Sequence, residues 1–206
     1  MATWQWATVD DHTKGTGQSV NYTSSQLAGD TNILVIGWNN ATSNITSVTD
    51  SAGNVYQLAV PTARGNGISQ AIYYAKNIKS AAAGTNTVTV TFNTATQYVD
   101  LRALEYSGLD LANPFDVGAS ASGTSNSANS GAVTTTAAHE LIIGAGTTTG
   151  GFSAAGSGFT TRVITSPNGD IAEDRFVTAT GSYSATASLS GSAAWVMQVA
   201  TFKAVS

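Results

Sequence analysis

Ile33-Leu34-Val35-Ile36-Gly37 and Glu140-Leu141-Ile142-Ile143-Gly144 are the two stretches on which the reading of this 206-residue chain turns. Each begins the same succession of motifs. In the first half come Gly53-Asn54-Val55-Tyr56, Asn66-Gly67 before Tyr73-Tyr74-Ala75, Val88-Thr89-Val90-Thr91-Phe92 and Ala103-Leu104-Glu105-Tyr106. In the second come Gly156-Ser157-Gly158-Phe159, Asn168-Gly169 before Arg175-Phe176-Val177, Tyr183-Ser184-Ala185-Thr186-Ala187 and Val199-Ala200-Thr201-Phe202. The interval, about 100 residues, is far longer than the roughly 20–50 residues of a solenoid repeat. It fits two sheet-forming halves of about five strands each, 18–118 and 130–206, packed face to face about 10 Å apart.

The rest of the sequence supports an all-β fold. Apolar and polar residues alternate, β-branched residues abound, and Gly- and Asn-rich turns separate the runs. No stretch has a convincing helical period; Lys79–Ala83 is expected to make one helical turn at most. The low-complexity segment Ala119–Ala132 divides the halves. The second half is too poor in large apolar residues to fold alone, so this segment reads as edge strands and a loop within a single domain, 1–206. The expectation is an antiparallel, jelly-roll-like β-sandwich. Tyr56 and Phe159, Tyr74 and Phe176, and Tyr106 and Phe202 align between the halves and read as core. Trp38 aligns with Ala145 and Tyr73 with Arg175, and such exchange reads as surface.

Composition excludes several functions. Only 10% of residues are charged, against roughly 25% in ordinary soluble domains, while Thr and Ser make up about a quarter of the chain. There is no Cys, hence no disulfide framework and no Cys-based zinc site. A net charge of −4 offers no basic field for nucleic acid. No apolar run reaches the roughly 18 residues of a membrane helix. The opening Met1-Ala2-Thr3-Trp4-Gln5-Trp6 lacks the basic and apolar parts of a secretion signal. It reads as the start of an excised extracellular module or of a virion protein released by lysis.

Thr49–Leu58, Thr85–Phe92 and Leu104–Leu109 resemble phrases of the β-sandwich modules of secreted bacterial surface proteins, adhesin-like chains and glycan-active multidomain proteins. The resemblance runs from about Gln18 to the C-terminus. It implies a jelly-roll-like sandwich in an extracellular or cell-surface setting. It transfers no functional residue.

Reactive groups are few, and no enzyme is expected. Gly156-Ser157-Gly158 does not complete a nucleophile elbow. A glycosidase needs two carboxyls roughly 5–10 Å apart, which ranks a hydrolase third. Glu105, in an otherwise apolar strand, is expected to pair with Arg102 or another Arg, or to reach the sheet edge. Asp170, Glu173, Asp174 and Arg175 form the densest charge group, followed by Asp10-Asp11-His12. Both read as solvated turns with local Arg pairing, and no cofactor is expected. Calcium, an oxygen-seeking cation, is the one metal such carboxylates suit. His139 reads as a surface residue at a strand start.

Aromatic residues offer the better chemistry. Sugar rings stack on flat side chains that carry a polar tip. Trp4 and Trp6, at i and i+2, share one face of a strand about 7 Å apart. Trp38 runs into the polar Asn39-Asn40, and Tyr73 completes the candidate carbohydrate-binding set. Lysines, which commonly guard open sheet edges, are few. The two partners expected are therefore a neutral glycan, bound by an extracellular recognition module, or copies of the chain itself in a structural or adhesive assembly.

Overall fold

The computed structural model describes residues 4–11 and 13–205, leaving the side chains of Trp4, Asp10 and Asp11 outside that description. Strands of the first half are β1 (Trp4–Asp11), β2 (Gly15–Asn21), β3 (Thr31–Trp38), β4 (Ile45–Asp50), β5 (Gln57–Arg64), β6 (Ser69–Ala75), β7 (Thr87–Thr96) and β8 (Val99–Tyr106). Those of the second half are β9 (Phe115–Asn129), β10 (Val133–Thr134), β11 (Glu140–Thr148), β12 (Phe152–Ala155), β13 (Thr160–Ile164), β14 (Ile171–Val177), β15 (Ser182–Tyr183) and β16 (Thr186–Lys203). Among the described residues there is no helix. Lys79–Ala83 is irregular, its Ala81 bridged to Gln26, so the single helical turn expected there does not form.

Both halves lay their strands in one order. The first half's main sheet runs β1-β8-β3-β6-β5, facing a small sheet β2-β7-β4. The second half repeats this with β9-β16-β11-β14-β13, while β10-β15 and the pairing of β12 with the start of β16 supply the outer layer. All the pairings are antiparallel, and the order β1-β8-β3-β6 against β2-β7-β4 is that of a jelly roll. The duplication read in the sequence is thus a duplication of topology.

The pentads form the central strands, β3 and β11. The expected two-layer packing is only the middle of the molecule. Ile33 and Val35 of β3 join Tyr74, Leu104 and Tyr106 against Leu141, Ile143 and Phe202, which fills the space between the two main sheets. The alternate residues Leu34, Ile36 and Trp38 point the other way, onto Val88, Val90 and Phe92 of the small sheet. Ile142, Ile171, Met197 and Val199 likewise face Phe152, Ala187 and Leu189. The main sheets are apolar on both faces, as unbroken apolar runs require, and four layers result.

The low-complexity segment is no loop. It continues β9 as far as Asn129, paired with the equally long β16. Its period of two makes this so: Ala119 and Ala121 pack toward the second outer core, while Ser120, Ser122 and Thr124 are exposed.

A buried polar seam crosses the middle layer. Arg102 is fully buried and donates to the carbonyls of Gly146 (2.8 Å) and Ile171 (2.7 Å) and to Thr147 (3.1 Å). Its charge is balanced by Asp100 at 3.2 Å and Asp170 at 3.6 Å. Gln70 adds a bond to the Ala145 carbonyl (2.9 Å). These contacts tie β6 and β8 of one half to β11 and β14 of the other.

Candidate functional site

Register defines which residues of the two halves are equivalent. Ile33 pairs with Tyr74 and Leu104, and Leu141 pairs with Phe176 and Phe202. Ile33 and Leu141 both face the central core. Tyr74 therefore matches Phe176, and Leu104 matches Phe202. Continuing outward, Trp6 pairs with Leu104 and Phe115 with Phe202, so Trp6 and Phe115 are also counterparts. Tyr106 lies two residues beyond Leu104 and so matches Ala204, two beyond Phe202; the sequence pairing of Tyr106 with Phe202 was two residues out of step.

These twin positions look very different. At the first, Phe115 closes the gap between the sheets. Its ring stacks on Tyr74 (centroids 6.0 Å, 26° between planes) and stands edge-on to Phe202 (5.8 Å, 68°). At the second, a cavity of about 640 Å³ remains, lined by Tyr106, Leu109, Leu141, Thr160, Arg162, Asp174 and Phe176 among others. Its size falls within the range of small-molecule sites, about 300–1,000 Å³. Phe176 is 52% exposed and is backed by His139, at 6.5 Å and 26° between rings. Trp6, 39% exposed, stands on the neighbouring edge strand, on the same sheet face as Leu104 and Tyr106.

The linings differ in polarity as well. Val35 pairs with Ile72 where Ile143 pairs with Asp174, and Val60 and Thr160 are the next partners out. The apolar Ile72 and Val60 of the closed end are replaced by Asp174 and Thr160 at the open end, where Tyr106 and Ala204 both line the cavity. Arg162 grips Asp174 through Nε and Nη2, each bond 2.7 Å long, and Tyr106 Oη donates to the same carboxylate at 2.8 Å. Burial, and then the Asp174 charge, hold the Tyr106 phenol well above its ordinary pKa, so it remains a donor. Burial lowers the Arg162 pKa, but the ion pair with Asp174 outweighs it and the guanidinium ends above its usual value. Charge in the wall is thus compensated locally, as a neutral ligand requires.

The four sequence-selected aromatics do not come together. Trp38 is fully buried, its ring edge-on to Phe92 at 5.3 Å, and no sugar reaches it in this structure. Its equivalent in the second half is Gly146 rather than Ala145, and there the Phe152 ring fills the corresponding space. Tyr73 packs against the same outer core, on the sheet face opposite Trp6. Trp4 is paired by its backbone with Tyr106, and its side chain lies outside the described residues. Trp6, Trp38 and Tyr73 are not among the residues that line the cavity; Trp6 alone is exposed on the sheet face that carries Tyr106.

The charge groups also rearrange. Asp170, Glu173 and Asp174 are buried rather than solvated. They alternate across the sheet: Asp170 and Asp174 serve Arg102 and Arg162, while Glu173 faces the outer core and accepts from the Gly156 amide at 2.9 Å. Among the described residues no ion pair joins these carboxylates to Arg175, whose guanidinium lies over Tyr183 at 5.5 Å. Among the described residues no three His, Asp or Glu side chains converge as a metal site. Asp10 and Asp11 belong to β1, but their side chains and His12 lie outside the described residues.

Glu105 does not pair with Arg102, which sits three residues away on the opposite face of β8. It accepts from Gln5 Nε2 and from the Leu27 amide (3.2 Å). Burial and the Glu105 charge push its neighbour Asp30 up to about 6. Comparison of the chain with protein-family models, curated proteins and solved structures finds no match.

Phe176, Arg162 and Asp174 escaped the sequence reading as site residues. An aromatic counterpart, Tyr74, makes Phe176 read as core, yet it is 52% exposed. The signal that finds it is the polar replacement of Ile72 and Val60 by Asp174 and Thr160, visible only once strand register fixes the alignment.

Proposed function

We propose that the chain is a non-catalytic extracellular recognition module that seats one ring of a neutral glycan in the cavity against Phe176, with the exposed Trp6 two strand positions from Tyr106 on the same sheet face. The carrying observation is the contrast between the twin sites. Where one half supplies its own aromatic plug in an apolar socket, the other presents an open socket with Tyr106, Thr160, Arg162 and Asp174 in its wall. A pyranose meets both demands, with a C–H face for an aromatic ring and hydroxyls for the polar side. The charge-poor, hydroxyl-rich surface agrees with a neutral partner.

Affinity electrophoresis through gels containing cellulose derivatives, mannan or starch tests this reading. Retardation of the wild type by one of them, lost in Phe176→Ala and kept in Tyr73→Ala, is expected. Equal migration in every gel, or loss with Tyr73→Ala alone, would refute it.

A further inference from the structure

The two main sheets have four edges, formed by β1, β5, β9 and β13. Three carry residues that block pairing with another chain: Asp10 and Asp11 on β1, Pro61 and Arg64 on β5, and Arg162 on β13. Charges, prolines and irregularities are the usual guards of such edges. β9 carries one charge, Asp116 near its start, bound to Lys203 and Thr136, and neither a charge nor a proline from Val117 to Asn129. It is also the longest edge strand, at 15 residues.

Along this edge the backbone is regular. From Gly118↔Ala200 to Ser125↔Ala193 the pairing with β16 runs without a break in register. That ladder uses one side of β9. Among the described residues no strand pairs with its other side, and no backbone bond outside the ladder involves Gly118–Ser125. A row of amides and carbonyls about 27 Å long is presented outward. β1, the counterpart of β9 in the first half, occupies the same place in its sheet but is only eight residues long and has two acidic residues, Asp10 and Asp11, in its sequence.

We infer that β9 is a self-association edge, at which a second copy of this chain adds its own β9 antiparallel, making one continuous sheet across a two-fold axis. An antiparallel pair of identical strands is self-complementary, because each contact is made twice. The side chains permit it. With the two-fold at Ser122, one face pairs Ser122 with its own copy and Ser120 with Thr124, and the other pairs Ala121 with Gly123 and Ala119 with Ser125. Serine and threonine pairs across strands are mildly favourable, whereas like charges directly opposite are destabilising; β9 brings no such charges together. The inference is independent of the glycan reading, since the cavity lies against β13 and β14, at the far side of the same sheet.

The test is the mass of the full chain in solution by sedimentation equilibrium, across a concentration series. A species of twice 20.9 kDa is expected for the wild type. Ser122→Lys places two like charges at the two-fold and should weaken the dimer at least about tenfold. Ser80→Lys, on an exposed loop, should leave it unchanged. Mixing Ser122→Lys with Ser122→Asp should restore a dimer that neither variant forms alone. Ser120→Lys supplies a second edge variant should Ser122→Lys lose its fold by circular dichroism. A wild type that stays at 20.9 kDa throughout, or lysine variants that dimerise as tightly as wild type, would overturn the inference.

Discussion

Glu173 offers the sharpest perturbation of the fold. Its side chain is 1% exposed, and Oε1 has no hydrogen-bond partner among the described residues. Burial pushes its pKa from 4.5 up to about 7; the Gly156 amide opposes this and the nearby Asp174 charge adds to it. The folded pKa therefore lies above the unfolded one. Between about pH 4.5 and 7 the folded protein keeps this proton and the unfolded chain does not. The resulting stability is complete below about pH 4.5 and is lost as pH rises through 7. The full shift corresponds to about 3 kcal/mol. Glu173→Gln keeps a carbonyl for the Gly156 amide and carries no charge at any pH. Urea unfolding of both proteins at pH 4 and pH 8, followed by tryptophan fluorescence, gives the comparison. The variant should equal the wild type at pH 4 within about 1 kcal/mol and exceed it by about 2–3 kcal/mol at pH 8. Asp30, raised for a similar reason, weakens both proteins alike and cancels in the difference. Parallel pH dependences for the two proteins would refute the reasoning.

Other outcomes follow from the packing. Phe115→Ala opens the closed twin and, because Phe115 is only partly buried, should cost about 2–3 kcal/mol in chemical denaturation, less than a fully buried aromatic truncation. Trp38→Ala, at a fully buried position, should cost about 3–5 kcal/mol, while Trp38→Phe keeps most of the stability and all of the glycan retention. Arg102→Ala leaves Asp100 and Asp170 buried without their cation and should cost about 3–5 kcal/mol, whereas Arg102→Met together with Asp100→Asn and Asp170→Asn should recover most of it. Phe176→Ala, at a half-exposed position, should change stability by less than about 1 kcal/mol while weakening glycan binding about tenfold or more.

Much of the architecture was legible because strand periodicity is local. The two pentads, the order of the motifs and the near-absence of charge led to a duplicated antiparallel sandwich. The four layers follow from Ile33-Leu34-Val35-Ile36, since four consecutive apolar residues in a strand bury both faces, a signal that alternation alone does not carry. Ala119–Ala132 looked like a divider because its composition is simple, yet its alternation of alanine and serine is a strand pattern that needed only a long partner, β16. The site was less legible for a geometric reason. A shift of one residue in aligning β3 with β11 turns every side chain to the opposite face. That error sent Trp38 to the surface, when its volume is the first half's equivalent of Phe152 over Gly146. With the register corrected, Trp6 and Phe176 become the counterparts of Phe115 and Tyr74, and the cavity emerges as the one socket of the pair that the chain leaves unplugged.

The most direct test of that view is a nitrogen-15 NMR titration of the wild type with an oligosaccharide cut from whichever neutral polysaccharide retards it. The account predicts shift changes concentrated in the amides of Ser107, Thr160, Arg162 and Phe176 and in the Trp6 indole, with the outer sheet β2-β7-β4 unmoved. Shifts confined to that outer sheet, or no shift at saturating sugar, would contradict it.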